Sequence, residues 1–431
     1  MDKLVVQGGR RLSGTVRING SKNAALPIMA ASILGDGPSI IENVPRLRDV
    51  RTMLDILTDL GMQGEHRDDG SVYLEPIDPA SVKADYKKVS TMRGSICVLG
   101  PLLAQRHKAI VSQPGGCVIG VRPIDLHIKG LRELGAEIRS ERGYVIAEAD
   151  RLVGNEIYLG GAFGSSVLAT TNVMMAATLA EGRTVIDCAA CEPEIADLAL
   201  FLNAMGARIS GAGSPTVTID GVERLNGARH RLVPDRIEAG TFMMAAAATG
   251  GDVIIENARP AHLGAVIHTL RQVGVTIEKA NGNLRVSGSP PFRSTDLTAL
   301  PYPGMPTDLQ AQMMALLTLA DGISVVTEKV FPDRFMHVAE LNRMGAQVRK
   351  EGSSAIIRGV GHLSGSHVMA SDLRASAALV IAGLVAQGET EIHRVYHIDR
   401  GYERIEERLS GLGAQIRRVA DNDEPGTANY K

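Results

Sequence analysis

A few side chains in this sequence combine a reactive type with a telling neighbourhood. Cys117 stands in QPGGCVIGVRP, residues 113–123. Gly and Pro at that density form turns and let backbone approach a ligand closely. Arg122 follows five residues on, and a thiol in a turn beside a cation favours thiolate. A small cysteine packed beneath a tight turn fits the same residues. Lys22 opens an apolar segment in NGSKNAALPI. An ammonium beside a helix N-terminus makes an anion site, and a solvated surface lysine is the ordinary alternative. Asp308 stands just ahead of another apolar segment in PYPGMPTDLQAQ, where an N-cap also fits. Arg334 in FPDRFMH, Asp372 and Arg374 in ASDLRASAAL and Arg400 in HIDRGYE complete the set. Arginines are usually solvated or paired; several converging on one cleft clamp phosphate or carboxylate.

Other chemistries find little support. No Walker motif is present, and no GxGxxG follows a strand. No histidine pair has metal-ligand spacing on a helix, so no metal is expected; His127, in RPIDLHI, is read as structural or ligand-positioning. The single CAAC, Cys188 to Cys191, lacks a second pair and reads as small residues near a strand end. The net charge of −2, an aromatic content of 3% and the absence of Trp argue against nucleic-acid binding. MDKLVVQGG runs straight into strand-like sequence without the pattern of a secretory signal. The apolar run 375–386 is interrupted by Ser376 and Gly383 and is too short to span a bilayer. Four cysteines in 431 residues are no disulfide framework, so a reducing, cytoplasmic setting is expected.

The elements that position these residues repeat. LGMQ, LGAEI, MGARI, VGVTI, MGAQV and LGAQI place Gly61, Gly135, Gly206, Gly274, Gly345 and Gly413 about seventy residues apart. An amphipathic segment precedes each glycine, as in DVRTMLDILTDLG and EPEIADLALFLNAMG. Each glycine suits a left-handed helix end, with a short strand after it. Earlier in every unit lies a uniformly apolar helix: NAALPIMAASIL, GSICVLGPLLA, ATTNVMMAATLAEG, AGTFMMAAAATGG, AQMMALLTLADG and ASAALVIAGLVAQG. A helix apolar all round is buried. Seventy residues can scarcely cover it alone, so modules must cluster. Six modules divide into two groups of three near HRLVPDRIEAGTF. The expectation is an α/β fold of two similar domains, each of three modules with buried helices surrounded by sheets, and a cleft between the domains for a ligand. The tail 421–431 is expected to be disordered.

GSKNAALPI, TMRGSI, QPGGCVIGVRPIDLHI, PDRIEAGTF, PTDLQAQ, FPDRFMHV, SDLRASAALV and YHIDRGYERIE resemble, in order and over nearly the whole chain, the UDP-N-acetylglucosamine 1-carboxyvinyltransferase family of enolpyruvyl transferases. The resemblance implies an inside-out α/β barrel architecture, with one domain over 22–230 and the other over 1–21 and 231–420. It implies transfer of the enolpyruvyl group of phosphoenolpyruvate to the 3-hydroxyl of UDP-N-acetylglucosamine, with release of phosphate. That step opens peptidoglycan synthesis, and with it cell-wall growth, cell shape and division. No metal or organic cofactor and no membrane or nucleic-acid partner is expected.

By the same resemblance, Cys117 donates a proton to the methylene carbon of phosphoenolpyruvate, forms an adduct with it, and is the residue attacked by fosfomycin in family members. Asp308 meets the sugar hydroxyl as base or as positioning group. Lys22, Arg122 and Arg400 clamp the phosphate; Asn23, Arg334, Asp372 and Arg374 extend the phosphoenolpyruvate site. Asn23, Arg93, Arg122, Pro123, Ile124, Asp125, Leu126, Ser165, Val167, Asp308 and Val330 match positions that hold the sugar nucleotide. The glycine-rich turn is expected to close as a lid. Rival readings are the sister transferase acting on shikimate 3-phosphate, a non-catalytic sugar-nucleotide sensor, and a repeat scaffold.

Overall fold

A computed structural model describes residues 2–113, 124–280 and 283–420. Cys117, Arg122, Pro123 and the tail 421–431 lie outside the described residues. The apolar segments form helices α1 (Lys22–Ala31), α2 (Leu99–Arg106), α3 (Val167–Ala177), α4 (Arg236–Ala248), α5 (Gln310–Leu317) and α6 (Leu373–Val385). Every residue of α4 and of α5 is buried. Side chains close three of the N-termini: Ser21 accepts from the Ala24 amide, Ser166 from Ala169, and Asp372 from Arg374 and Ala375. The second apolar segment departs from a single helix. It is a 3-10 turn over Arg93–Val98 that passes into α2, with Pro101 in the first turn, where a missing N–H costs no ladder bond.

Each apolar helix is followed by a strand that has a parallel neighbour. In the α3 module, Glu156–Tyr158 pairs in parallel with Arg183–Asp187. An outer helix, Pro193–Met205, follows; then Arg208–Ser210 and Thr216–Asp220 pair antiparallel, and the latter joins Arg183–Asp187. Six four-stranded sheets have this order. All six repeat glycines have positive φ, from 76° at Gly61 to 111° at Gly206. L side chains are costly there, so the glycines end the outer helices at fixed points and turn the chain into its hairpin.

The described chain divides into two compact units: residues 19–113 with 124–235, and residues 2–18 with 236–420. Each holds three four-stranded sheets and its own continuous apolar core. In both, a strand distant in sequence completes the set. Arg229–Arg231 pairs in parallel with Ser39–Glu42 in the first unit. In the second, Asp2–Gln7 lies antiparallel between Glu389–His393 and Gln415–Ala420. Among the described residues no helix is long and apolar enough to cross a membrane.

The helices pack at backbone distance. A Cβ at Gly100 in α2 would stand 2.3 Å from the Asn172 carbonyl oxygen in α3. Gly100→Ala is therefore expected to destabilise by about 1–3 kcal/mol, although alanine is the better helix former. Urea unfolding of the variant measures this.

Candidate active site

Several candidate residues stand at the N-terminal ends of the buried helices, and others on an outer helix and on loops. In the first unit Lys22 is the first residue of α1. It is only 8% exposed, which rules out the solvated surface lysine. Its Nζ lies 3.2 Å from Asp49 Oδ2, and its backbone N–H donates to Asp235 Oδ2 at 3.2 Å. A buried ammonium needs such a counter-charge. Asn23 follows it, half-buried, and Arg93 opens the 3-10 turn before α2.

The sugar-nucleotide candidates Asp125 and Leu126 begin the outer helix Asp125–Glu133, with Ile124 before it. Leu126 packs on Gly161: a Cβ there would meet Leu126 Cδ1 at 3.0 Å. That brings the helix start beside the turn leading to Ser165 and Val167 at the head of α3. His127 is buried and anchors the same helix. Asn172 Nδ2 lies 2.9 Å from His127 Nδ1 and also donates to the Ile96 carbonyl, while Asn172 Oδ1 accepts from Gly100 N. Burial, then the positive charge of Arg93, pulls His127 down to about 3. Cys97 is buried against Thr171, and burial pushes its thiol up to about 12, which makes it an inert packing residue.

In the second unit Asp308 sits inside the 3-10 turn Thr307–Leu309 that leads into α5. The N-cap position belongs to Pro306, so the capping alternative for Asp308 does not hold. Its carboxylate meets two guanidiniums instead. Arg334 Nη1 donates to Oδ1 at 2.8 Å, and Arg374 Nη2 to Oδ2 at 3.1 Å. Arg334 and Arg374 are 5% and 2% exposed, so both charges are drawn out of water. The Arg374 guanidinium lies 5.4 Å from the ring centre of buried Tyr402, whose hydroxyl is 2.8 Å from Thr241 Oγ1 and accepts from Gln312 Nε2. Gln312 Nε2 also donates to the Asp308 carbonyl. Asp372 spends Oδ1 on capping α6. Arg400 ends the 3-10 turn Val395–Arg400, and Gly401 abuts Leu373 at the head of α6. The structure thus brings Asp308, Arg334 and Arg374 into direct contact and sets the Arg400 turn against the same helix end.

Sequence reasoning missed the supports. Glu328, fully buried, accepts from Thr307 Oγ1 at 2.7 Å and from the Val330 and Phe331 amides at 2.8 and 3.0 Å. It ties the Asp308 turn to the loop carrying Val330 and Arg334. Asp49, Asp235 and Asn172 act similarly for the first unit. None carries a local motif, because each works through a partner distant in sequence.

Comparisons with known proteins identify the family. A family model described as EPSP synthase (3-phosphoshikimate 1-carboxyvinyltransferase) matches residues 6–409. The UDP-N-acetylglucosamine 1-carboxyvinyltransferase of Desulforapulum autotrophicum is 54% identical over 97% of this chain and 100% of its own length. One from Caldanaerobacter subterraneus is 53% identical over 96% of this chain and 99% of its own. The chain belongs to the UDP-N-acetylglucosamine 1-carboxyvinyltransferase family. Solved structures supply the fold. The enolpyruvyl transferase NikO from Streptomyces tendae superposes with a TM-score of 0.87 at 24% identity, covering 97% of this chain and 99% of that one. An EPSP synthase from Acinetobacter baumannii gives 0.74 at 21%, covering 97% and 100%. Members of the UDP-N-acetylglucosamine 1-carboxyvinyltransferase family are transferases, and so is this chain. The α/β architecture is common to this chain and these two solved structures.

Two measurements probe the supports. Glu328→Ala strands three donors in a buried setting and is expected to cost about 2 kcal/mol or more in unfolding free energy. His127 lies below its unfolded value of 6.5. The unfolded chain therefore binds the extra proton, and the contribution of neutral His127 is lost as pH falls from 6.5 towards 3. Urea unfolding between about pH 4 and pH 7 should show a shallower fall in His127→Gln than in the parent protein.

Proposed function

We propose that this transferase moves the enolpyruvyl group of phosphoenolpyruvate to the 3-hydroxyl of UDP-N-acetylglucosamine and releases phosphate. The observation that carries the reading is the near-full-length identity to enzymes of that name, joined to Asp308 held between two buried arginines. Phosphoenolpyruvate brings a phosphate and a carboxylate, and negative charge gathers on the departing phosphate oxygen as its C–O bond breaks. Lys22, Arg122 and Arg400 meet that phosphate, with Asn23, Arg334, Asp372 and Arg374 completing the phosphoenolpyruvate site. Cations held around the phosphate stabilise the departing charge.

Asp308 serves the sugar hydroxyl. Both of its oxygens accept from arginine in this structure, so an anionic substrate that draws on either guanidinium loosens the carboxylate's hold. Binding of one substrate thereby readies the group that meets the other. Cys117 supplies the proton to the methylene carbon and forms the adduct, a role suited to a thiol with a tunable pKa. It is also the residue an epoxide such as fosfomycin alkylates. Arg93, Arg122–Leu126, Ser165, Val167 and Val330 hold the sugar nucleotide. The setting is the cytoplasm, at the opening of cell-wall synthesis on which cell shape and division depend.

Phosphate release from phosphoenolpyruvate tests the acceptor. Release is expected with UDP-N-acetylglucosamine and not with shikimate 3-phosphate. The reverse outcome keeps the chemistry and overturns the acceptor. Cys117→Ala and Asp308→Ala should each reduce kcat at least about a hundredfold, the lower range for a lost acid or base. Full activity in Cys117→Ala would remove the thiol from the mechanism.

A further inference from the structure

The second unit carries a donor set made of none of the candidate site residues. The edge strand His367–Met369 pairs in parallel with Glu389–His393, in a register that sets His367 opposite Glu391 and Met369 opposite His393. Side chains alternate across a sheet. Val368 and Ile392 are buried on the inner face, so His367, Glu391 and His393 share the outer one. His367 Nδ1 lies 3.3 Å from Glu391 Oε2, and His393 Nε2 lies 3.7 Å from the same oxygen. All three donor atoms fall within 4.8 Å of one another. The imidazole planes are inclined by 22° with ring centres 6.0 Å apart.

We propose that His367, Glu391 and His393 form a binding site for a zinc-class divalent ion. Two imidazole nitrogens and one carboxylate oxygen are the borderline donors such an ion prefers, and three protein ligands leave a position for water. Bonds of about 2.0–2.2 Å ask for donors roughly 3.3–3.5 Å apart in a tetrahedral site. The two separations from Glu391 are near that already. A small rotation of exposed His367 closes the third.

The site has a built-in competitor. Lys3 Nζ donates to Glu391 Oε2 at 2.6 Å, so a metal must share that oxygen with the ammonium or displace it. The ion's role follows from where its ligands lie. α6 is the crossover between the two strands, and the 3-10 turn ending at Arg400 begins two residues after His393. The metal clips the edge strand to its neighbour, closes the α6 crossover, and braces the root of the Arg400 turn. The three ligands support no role in the chemical step; the clip is structural.

Calorimetric titration of the full chain with ZnCl2, after treatment with a chelator, tests the site. One class of sites is expected to be weakened about a hundredfold or lost in His367→Ala and in His393→Ala, at or beyond the cost of removing a ligand's hydrogen-bonding partner. Lys3→Met, by removing the competitor, should tighten it. Zinc should raise the thermal midpoint of the parent protein more than that of either histidine variant. Thermal midpoints in chelator control for folding. Unchanged zinc binding in both histidine variants would overturn the site. So would a cobalt spectrum of the parent protein dominated by thiolate charge transfer, a readout that needs no variant.

Discussion

A helix with no polar side has to be covered by protein around its whole circumference. That constraint organises the molecule. No single module of about seventy residues has the surface to cover one, so modules associate and place their sheets outside. It also decides where chemistry can occur. The flanks of such a helix are spoken for by packing, which leaves the ends. Lys22, Arg93, Ser165, Val167, Asp308, Asp372 and Arg374 all stand at or just before the start of an apolar helix. The opening turn of a helix offers unsatisfied N–H groups and the positive end of its dipole, and both favour anions. A scaffold of buried helices is thus a supply of anion-seeking positions before any cation is added.

The cations then need holding. Burying a guanidinium without a partner is expensive, and two lie within reach of Asp308. The carboxylate neutralises part of that charge. Glu328 performs the quieter task of joining the two loops: it accepts the Val330 and Phe331 amides of its own loop and the Thr307 hydroxyl of the Asp308 turn. Lys22 and Asp49 make the corresponding arrangement in the first unit.

Much of this was legible in the sequence because it is periodic. The six glycines mark helix ends whose φ values are all positive, and the six apolar helices stand where their composition places them. Asp308, Arg334 and Arg374 could be singled out because they interrupt a repeated pattern. Three things were not legible. Pro101 divides one apolar segment into a 3-10 turn and a helix, a local effect that overall hydrophobicity hides. Glu328, Asp49 and Asp235 act across gaps of 21 to 213 residues, and single-strand spacing carries no trace of such partners. His367, Glu391 and His393 escape a search for helical ligand spacing because strand register, not helical pitch, brings them together.

The strand Asp2–Gln7 has a consequence for synthesis. It lies between two strands made long after it, Glu389–His393 and Gln415–Ala420, with Lys3 and its partner Glu391 separated by 388 residues. The unit formed by residues 19–113 and 124–235 takes no strand from outside that span and can close while translation proceeds. The strand Asp2–Gln7 must instead wait, its edges unpaired, for partners made hundreds of residues later. Assembly is therefore ordered in time by topology, one unit closing over a contiguous stretch of translation and the other only when its distant strands have been made.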